Sequence, residues 1–193
     1  MFQPSREQVM SVLEKKGYSF FTKGDYNLNL IGVRDADKFT NKFDDVIMCF
    51  YKADGKWQSR YWAATTDAGF YWVESPMVPQ GCGVLVPGQY RSGWRIGYHK
   101  GQYRALVQNK PVTLYRDSNR DKVIDKDKTE TGMFGVNIHR AGQASVQVDK
   151  WSAACQVIAK RADFNEMMSL VDKAAPLWGK AFTYTLLERK DFD

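Results

Sequence analysis

Two side chains in the stretch NIHRAGQASVQVDKWSAAC, residues 137–155, could together carry out covalent chemistry. His139 is one of two histidines in the chain and Cys155 one of three cysteines. A cysteine nucleophile needs a base within hydrogen-bond reach to take its proton and lower its pKa. It also needs backbone N–H donors where the oxyanion of a tetrahedral intermediate forms. Ser152, Ala153 and Ala154 precede the cysteine, and a bend through such small residues can turn the N–H groups of Ala153, Ala154 and Cys155 toward the sulfur. The spacing alone does not decide the matter, because the intervening residues are enough for a loop to bring the two groups together or hold them apart. An isolated cysteine in a β-rich chain is commonly a small core hydrophobe.

The flanking sequence says what must position the pair. GMFGVNIH reads as a glycine-punctuated strand with His139 near its end, and CQVIAK as a short apolar run leading into a helix. Upstream, PSREQVMSVLEKKG predicts a short helix capped by Ser5 and stopped at Gly17, with Val9, Met10 and Leu13 on one face. YNLNLIGVR alternates as a half-buried strand does, and DDVIMCFYKADGKWQSRYWAATT reads as a hairpin turning at Asp54-Gly55, with Cys49 in the core. Glycines and prolines then punctuate short apolar-aromatic runs as in a sheet or barrel. After Arg161, Phe164, Met167, Met168 and Val171 recur at helical spacing, with Pro176 and Gly179 expected to end the helix, and AFTYTLLER predicts a closing strand. No repeat or composition break marks a second domain. The expected architecture is α+β: residues 1–193 as a single mainly-β domain with a short N-terminal helix and a helix after the cysteine.

The order glycine-rich strand, Ile138-His139, spacer, then Ser152-x-small-Cys155 resembles the active-site motif of the L,D-transpeptidase (YkuD-like) catalytic domain. There a histidine is followed, after a spacer of similar length, by Ser-His-Gly-Cys. The segments GQYR, YRDSNRD and NIHRAG also look like diverged, phage-type members of this family. The resemblance implies the L,D-transpeptidase fold, Cys155 as nucleophile, His139 as base and Ser152 as the motif serine. It also implies an oxyanion site at the backbone of residues 153–155, and Arg140 as the position whose main-chain carbonyl orients the imidazole and whose side chain meets a peptide carboxylate. The substrate implied is bacterial peptidoglycan. The chain departs from the motif at Ala153 (histidine in the family), Ala154 (glycine), Arg140 (glycine) and Val157 (arginine). Replacing glycine by Ala154 requires that this residue avoid positive φ. With acceptor-handling positions altered, hydrolysis is expected over transpeptidation, in the manner of an endolysin. A transpeptidase, or a non-catalytic module binding cell wall or nucleic acid, is the alternative.

Other residues carry weaker signals. His99, beside Lys100 and Gly101 at an apparent turn, reads as an exposed hairpin residue that could contact substrate, as could Asn137. In DSNRDKVIDKD, Asp117, Asn119, Asp121 and Asp125 follow the spacing of oxygen ligands in a calcium loop, although Lys122 replaces its usual glycine and Lys128 its bidentate glutamate. The alternative is a charged turn closed by its own Asx bonds. A structural calcium is thus the one cofactor the sequence suggests, and none is required for the chemistry. Cys49, Cys82 and Cys155 form no CxxC pair, which speaks against a zinc site or disulfide framework.

The net charge of +6 favours an anionic partner such as a cell wall, a membrane surface or nucleic acid. Basic and aromatic residues interleave in QYRSGWRIGYHKGQYRALVQNK, yet no nucleic-acid partner is expected. No stretch is long and apolar enough to span a membrane, and the N-terminus shows no signal-peptide pattern. The expectation is a monomer made in the host cytoplasm that reaches the wall after release.

Overall fold

The computed structural model describes all 193 residues. Helix α1, Arg6–Lys15, starts at a capping box in which Ser5 accepts from the Gln8 N–H and the Gln8 side chain accepts from the Ser5 N–H; Gly17, at φ 70°, turns the chain out of it. Its buried face is Val9, Val12 and Leu13, whereas Met10, expected on that face, is exposed. Met10 is adjacent to Val9 in sequence, and a step of roughly 100° per residue carries it round the side of so short a helix.

The hairpin at Asp54-Gly55 forms between β2, Asp45–Ala53, and β3, Lys56–Thr65, both turn residues lying at positive φ as the tight turn requires. Strand β1, Asn29–Arg34, pairs antiparallel with β2 and parallel with β11, Ala181–Glu188. All six β1 residues are buried, not the alternate ones. Leu30 faces the main core, while Ile31 and Val33 pack under α1 with Val46, Met48 and Phe50. Alternation survives as a division between two cores, and a strand covered on both faces hides it from a polarity pattern.

The remaining elements are α2, Phe70–Glu74; β4, Cys82–Leu85; β5, Gly88–His99; β6, Tyr103–Gln108; β7, Val112–Asp117; β8, Thr129–Gly132; β9, Ile138–Arg140; β10, Gln156–Ile158; and α3, Arg161–Trp178. Eight strands close into a barrel in the order β1-β11-β5-β6-β9-β10-β3-β2, and β4-β7-β8 form a separate three-stranded sheet. The closing role expected of AFTYTLLER is met by β11, between β1 and β5. Phe164, Met167, Met168 and Val171 of α3 pack into the main core of 26 buried residues. Pro176 lies inside the last turn of α3, which runs on to Trp178 and ends at Gly179.

Strands β9 and β10 run parallel, with Ile138 opposite Gln156 and His139 opposite Val157. A parallel pair needs a long connection, and residues 141–155 supply it as an irregular loop. Asn41 holds that loop. Its Oδ1 accepts from the N–H groups of Asp149 and Phe70, its Nδ2 donates to Asp149 Oδ1 at 2.7 Å, and its carbonyl accepts from the Val148 N–H. Gly69 permits the close approach: a Cβ there would meet the Asp149 carbonyl oxygen at 2.1 Å, and its N–H donates to the Ser152 carbonyl.

Candidate active site

Residues 132–137, entering β9, are fixed from behind by β5 and β6. Gln108 Oε1 accepts from the N–H groups of Phe134 and Val136, its Nε2 donates to the Gly132 carbonyl, and the Trp94 indole donates to the Val136 carbonyl at 2.7 Å. On the far side of the crossover, Ser152 is fully buried and its Oγ donates to the Cys155 carbonyl at 2.8 Å, closing the bend before β10. Gln156 Nε2 donates to the Thr66 and Ala154 carbonyls, and its Oε1 accepts from the Tyr184 hydroxyl. These contacts set two short parallel strands side by side, with Cys155 and His139 on the wall of one cavity of about 470 Å³.

Cys155 is half-buried, whereas Cys49 and Cys82 are buried. Its Sγ accepts from the Asn137 N–H at 3.4 Å and its thiol is 3.7 Å from the Gly135 carbonyl. Loss of solvation pushes the thiol up, the Asn137 N–H and the Lys100 charge opposing that shift. The lowered pKa expected of an activated thiolate is therefore not present in the free protein, since no cationic side chain is bonded to the sulfur and surrounding protein displaces the water that would stabilise its charge.

His139 is 2% exposed, and its Nδ1 lies 2.9 Å from the Arg140 carbonyl. A carbonyl can only accept, so Nδ1 carries the proton and Nε2 keeps a free lone pair. Nε2 is buried with no hydrogen-bond partner. Tyr103 Oη, 3.3 Å from the Arg140 carbonyl and from Nδ1, braces the same corner. Burial, then the neighbouring His99, lowers the His139 pKa to about 3. Thiol and imidazole are thus both neutral in the free protein.

The Arg140 carbonyl holds the imidazole as the resemblance implies, but its side chain does not face the cavity. The guanidinium lies over the Tyr103 ring at 4.2 Å and donates to the Ala141 carbonyl, so it is not placed to meet a substrate carboxylate there. Ala153, Ala154 and Cys155 line the cavity, and their N–H groups donate to no group of the protein. Ala154 stays out of positive φ, as its side chain requires. Asn137 lines the cavity too, with its amide engaged: Oδ1 accepts from the Gln108 N–H and Nδ2 lies 3.0 Å from His99 Nδ1. His99 is not an exposed hairpin residue. It ends β5, is 8% exposed, and stacks on His139 with ring centroids 3.9 Å apart.

The calcium-loop residues lie elsewhere. Asn119 Oδ1 accepts from the Asp121 N–H, Asp121 Oδ1 from the Val123 N–H, and Asp117 Oδ2 from the Asp125 N–H. Nowhere in the chain do three or more His, Cys, Asp or Glu side chains gather as a metal-binding group. The Asn119 and Asp121 bonds are Asx bonds, as in a charged turn; the Asp117 bond spans eight residues, and Asp117 Oδ1 is buried without a partner. Gln108, Trp94, Tyr103 and Asn41, which build the site, gave no sequence signal; their roles depend on contacts between distant segments.

No helix is long and apolar enough to cross a membrane. No family model matches the chain, and no curated protein or solved structure matches it.

Proposed function

We propose that the protein is a cysteine-dependent peptidoglycan peptide hydrolase, endolysin-like in role, that works through an acyl-enzyme on Cys155. The observation that carries this reading is the presence, on the lining of one cavity, of a half-buried thiol and a histidine whose Nδ1 is fixed and whose Nε2 has no partner; no hydrogen bond joins the two in the free protein. A buried polar atom without a partner costs free energy, about 1–3 kcal/mol, and a reacting group is a reason to retain it.

In the reaction, the Cys155 proton passes to His139 Nε2 as Sγ attacks the peptide carbonyl carbon, next to a diamino-acid residue of the stem or cross-link. The oxyanion takes hydrogen bonds from the free N–H groups of residues 153–155. His139 returns the proton to the departing amine as the C–N bond breaks, leaving a thioester. Water, deprotonated by the same Nε2, attacks the thioester and releases acid and thiol. Because the resting pair is neutral, proton transfer accompanies attack.

The lining suits an anionic peptide. It includes Lys100, Lys150 and Arg116 and no acidic side chain, with Arg116 already paired to Glu130 at 2.7 Å. Trp72, Trp151, Phe134 and Met77 supply apolar area beside these charges. Mass spectrometry of purified Gram-negative peptidoglycan incubated with the protein and with Cys155→Ala tests the reading. New muropeptides that depend on Cys155 support it, and their masses separate hydrolysis from L,D-transpeptidation. An unchanged digest, with folding verified, would count against the wall as substrate.

A further inference from the structure

The hydrogen bonds around the two histidines assign both tautomers. Asn137 Oδ1 accepts from the Gln108 N–H, so the group it turns toward His99 is the NH2. Nδ2 therefore donates to His99 Nδ1 at 3.0 Å, and His99 carries its proton on Nε2. His139 carries its proton on Nδ1, held by the Arg140 carbonyl. The rings lie 3.9 Å apart and within 21° of parallel. His99 lines the cavity with His139, and neither ring has a carboxylate partner.

We propose that His99 is a positioning residue for His139: stacked on it as the neutral Nε2–H tautomer, it keeps the base ring in place and confines the pair to a single proton. The proposal concerns the base used in the hydrolase reading, but its test needs no substrate.

The charged and titratable groups around the pair come from every neighbouring element. Lys100 follows His99 in its turn, Tyr103 on β6 sits 5.6 Å from the His99 ring, Arg140 follows His139 on β9, and Cys155 shares the cavity wall. Lys100 and Arg140 are cationic, and both disfavour a charged ring. A proton on His99 Nδ1 would also oppose the Asn137 NH2 and break the bond that orients it. The first proton thus costs the Asn137 Nδ2 bond to His99, and a second would place two cations in contact. When His139 takes the thiol proton during attack, a neutral His99 is what allows it.

The chain has only two histidines, so two-bond 1H–15N NMR of the imidazoles resolves both, with single variants assigning them. At neutral pH the expected pattern is Nε2–H for His99, Nδ1–H for His139, and no imidazolium. On acidification His99 should titrate first. In His99→Phe, which keeps a stacked ring without a charge, His139 should keep its tautomer and titrate at a higher pH than in the wild type, because the competing cation is gone. In His99→Ala, which removes the stacked ring, His139 should keep Nδ1–H through the Arg140 carbonyl but show broadened imidazole resonances as its ring gains freedom. The opposite tautomer on either ring, or a His139 titration unchanged by His99→Phe, would overturn the proposal. Lack of activity on peptidoglycan, with these tautomers found, would remove the hydrolase reading alone.

Discussion

Cys49 and Cys155 sit in two regions that treat the same side chain differently. Cys49, in β2, is enclosed by the barrel core, and burial pushes its thiol far up. Burial also raises Cys155, so the direction of the shift does not distinguish them. The difference is in the polar atoms nearby. Cys155 has the Asn137 N–H on its sulfur and lines an open cavity together with three free backbone N–H groups and with His139, whose Nε2 has no partner. A structural thiol needs none of these, and their conjunction marks a site at which a reacting group can complete the hydrogen bonding.

Substitutions can break or sharpen that contrast. The largest effect is expected for Cys155→Ala, which should abolish muropeptide release, read by mass spectrometry, while leaving thermal unfolding within about 1 kcal/mol of the wild type. His139→Gln should follow, with a loss on the order of 10²–10⁴-fold in kcat, the range a general base contributes.

The same histidine governs a pH effect on stability. Its folded pKa is about 3 against 6.5 for an ordinary imidazole, so between those values the unfolded chain binds the additional proton and stability falls as pH falls. The slope is about 1.4 kcal/mol per unit of pH well below 6.5. His99, also lowered by burial, acts in the same direction. Urea unfolding at pH 7 and pH 5 should therefore show a smaller acid loss in His139→Gln than in the wild type.

Asn41→Ala should cost about 1–3 kcal/mol, because it strands the N–H groups of Asp149 and Phe70, and should lower activity by loosening the crossover. The smallest effect is expected for Cys49→Ala, which should cost about 1 kcal/mol in the same unfolding measurement and leave kcat unchanged.

The elements that were legible in the sequence were those specified locally. Ser5 and Gln8 cap α1, Asp54-Gly55 turns the β2–β3 hairpin, and Phe164, Met167, Met168 and Val171 mark the buried face of α3. The order of strands in the barrel was not legible, because the parallel β9–β10 pair joins segments across a loop held by Asn41 from far upstream. The site divided in the same way. His139 and Cys155 were singled out by residue type and by the resemblance, as was the Arg140 carbonyl; their spacing alone left open whether they share a cavity. The burial of His99 was not legible, since a Lys-Gly turn reads as exposed and only the fold brings the end of β5, across β6, against Asn137 and His139. The outward turn of the Arg140 side chain depends on Tyr103, which lies on a different strand.

The central claim is that Cys155 is the nucleophile. Acid-quenching the protein during turnover of a synthetic stem peptide, followed by intact-mass and peptide-map analysis, tests it most directly. The account predicts a mass increase equal to the acyl portion of the substrate, located on the peptide containing Cys155, absent from Cys155→Ala and diminished in His139→Gln. Turnover that persists in Cys155→Ala, or an adduct on Cys49 or Cys82, would contradict it.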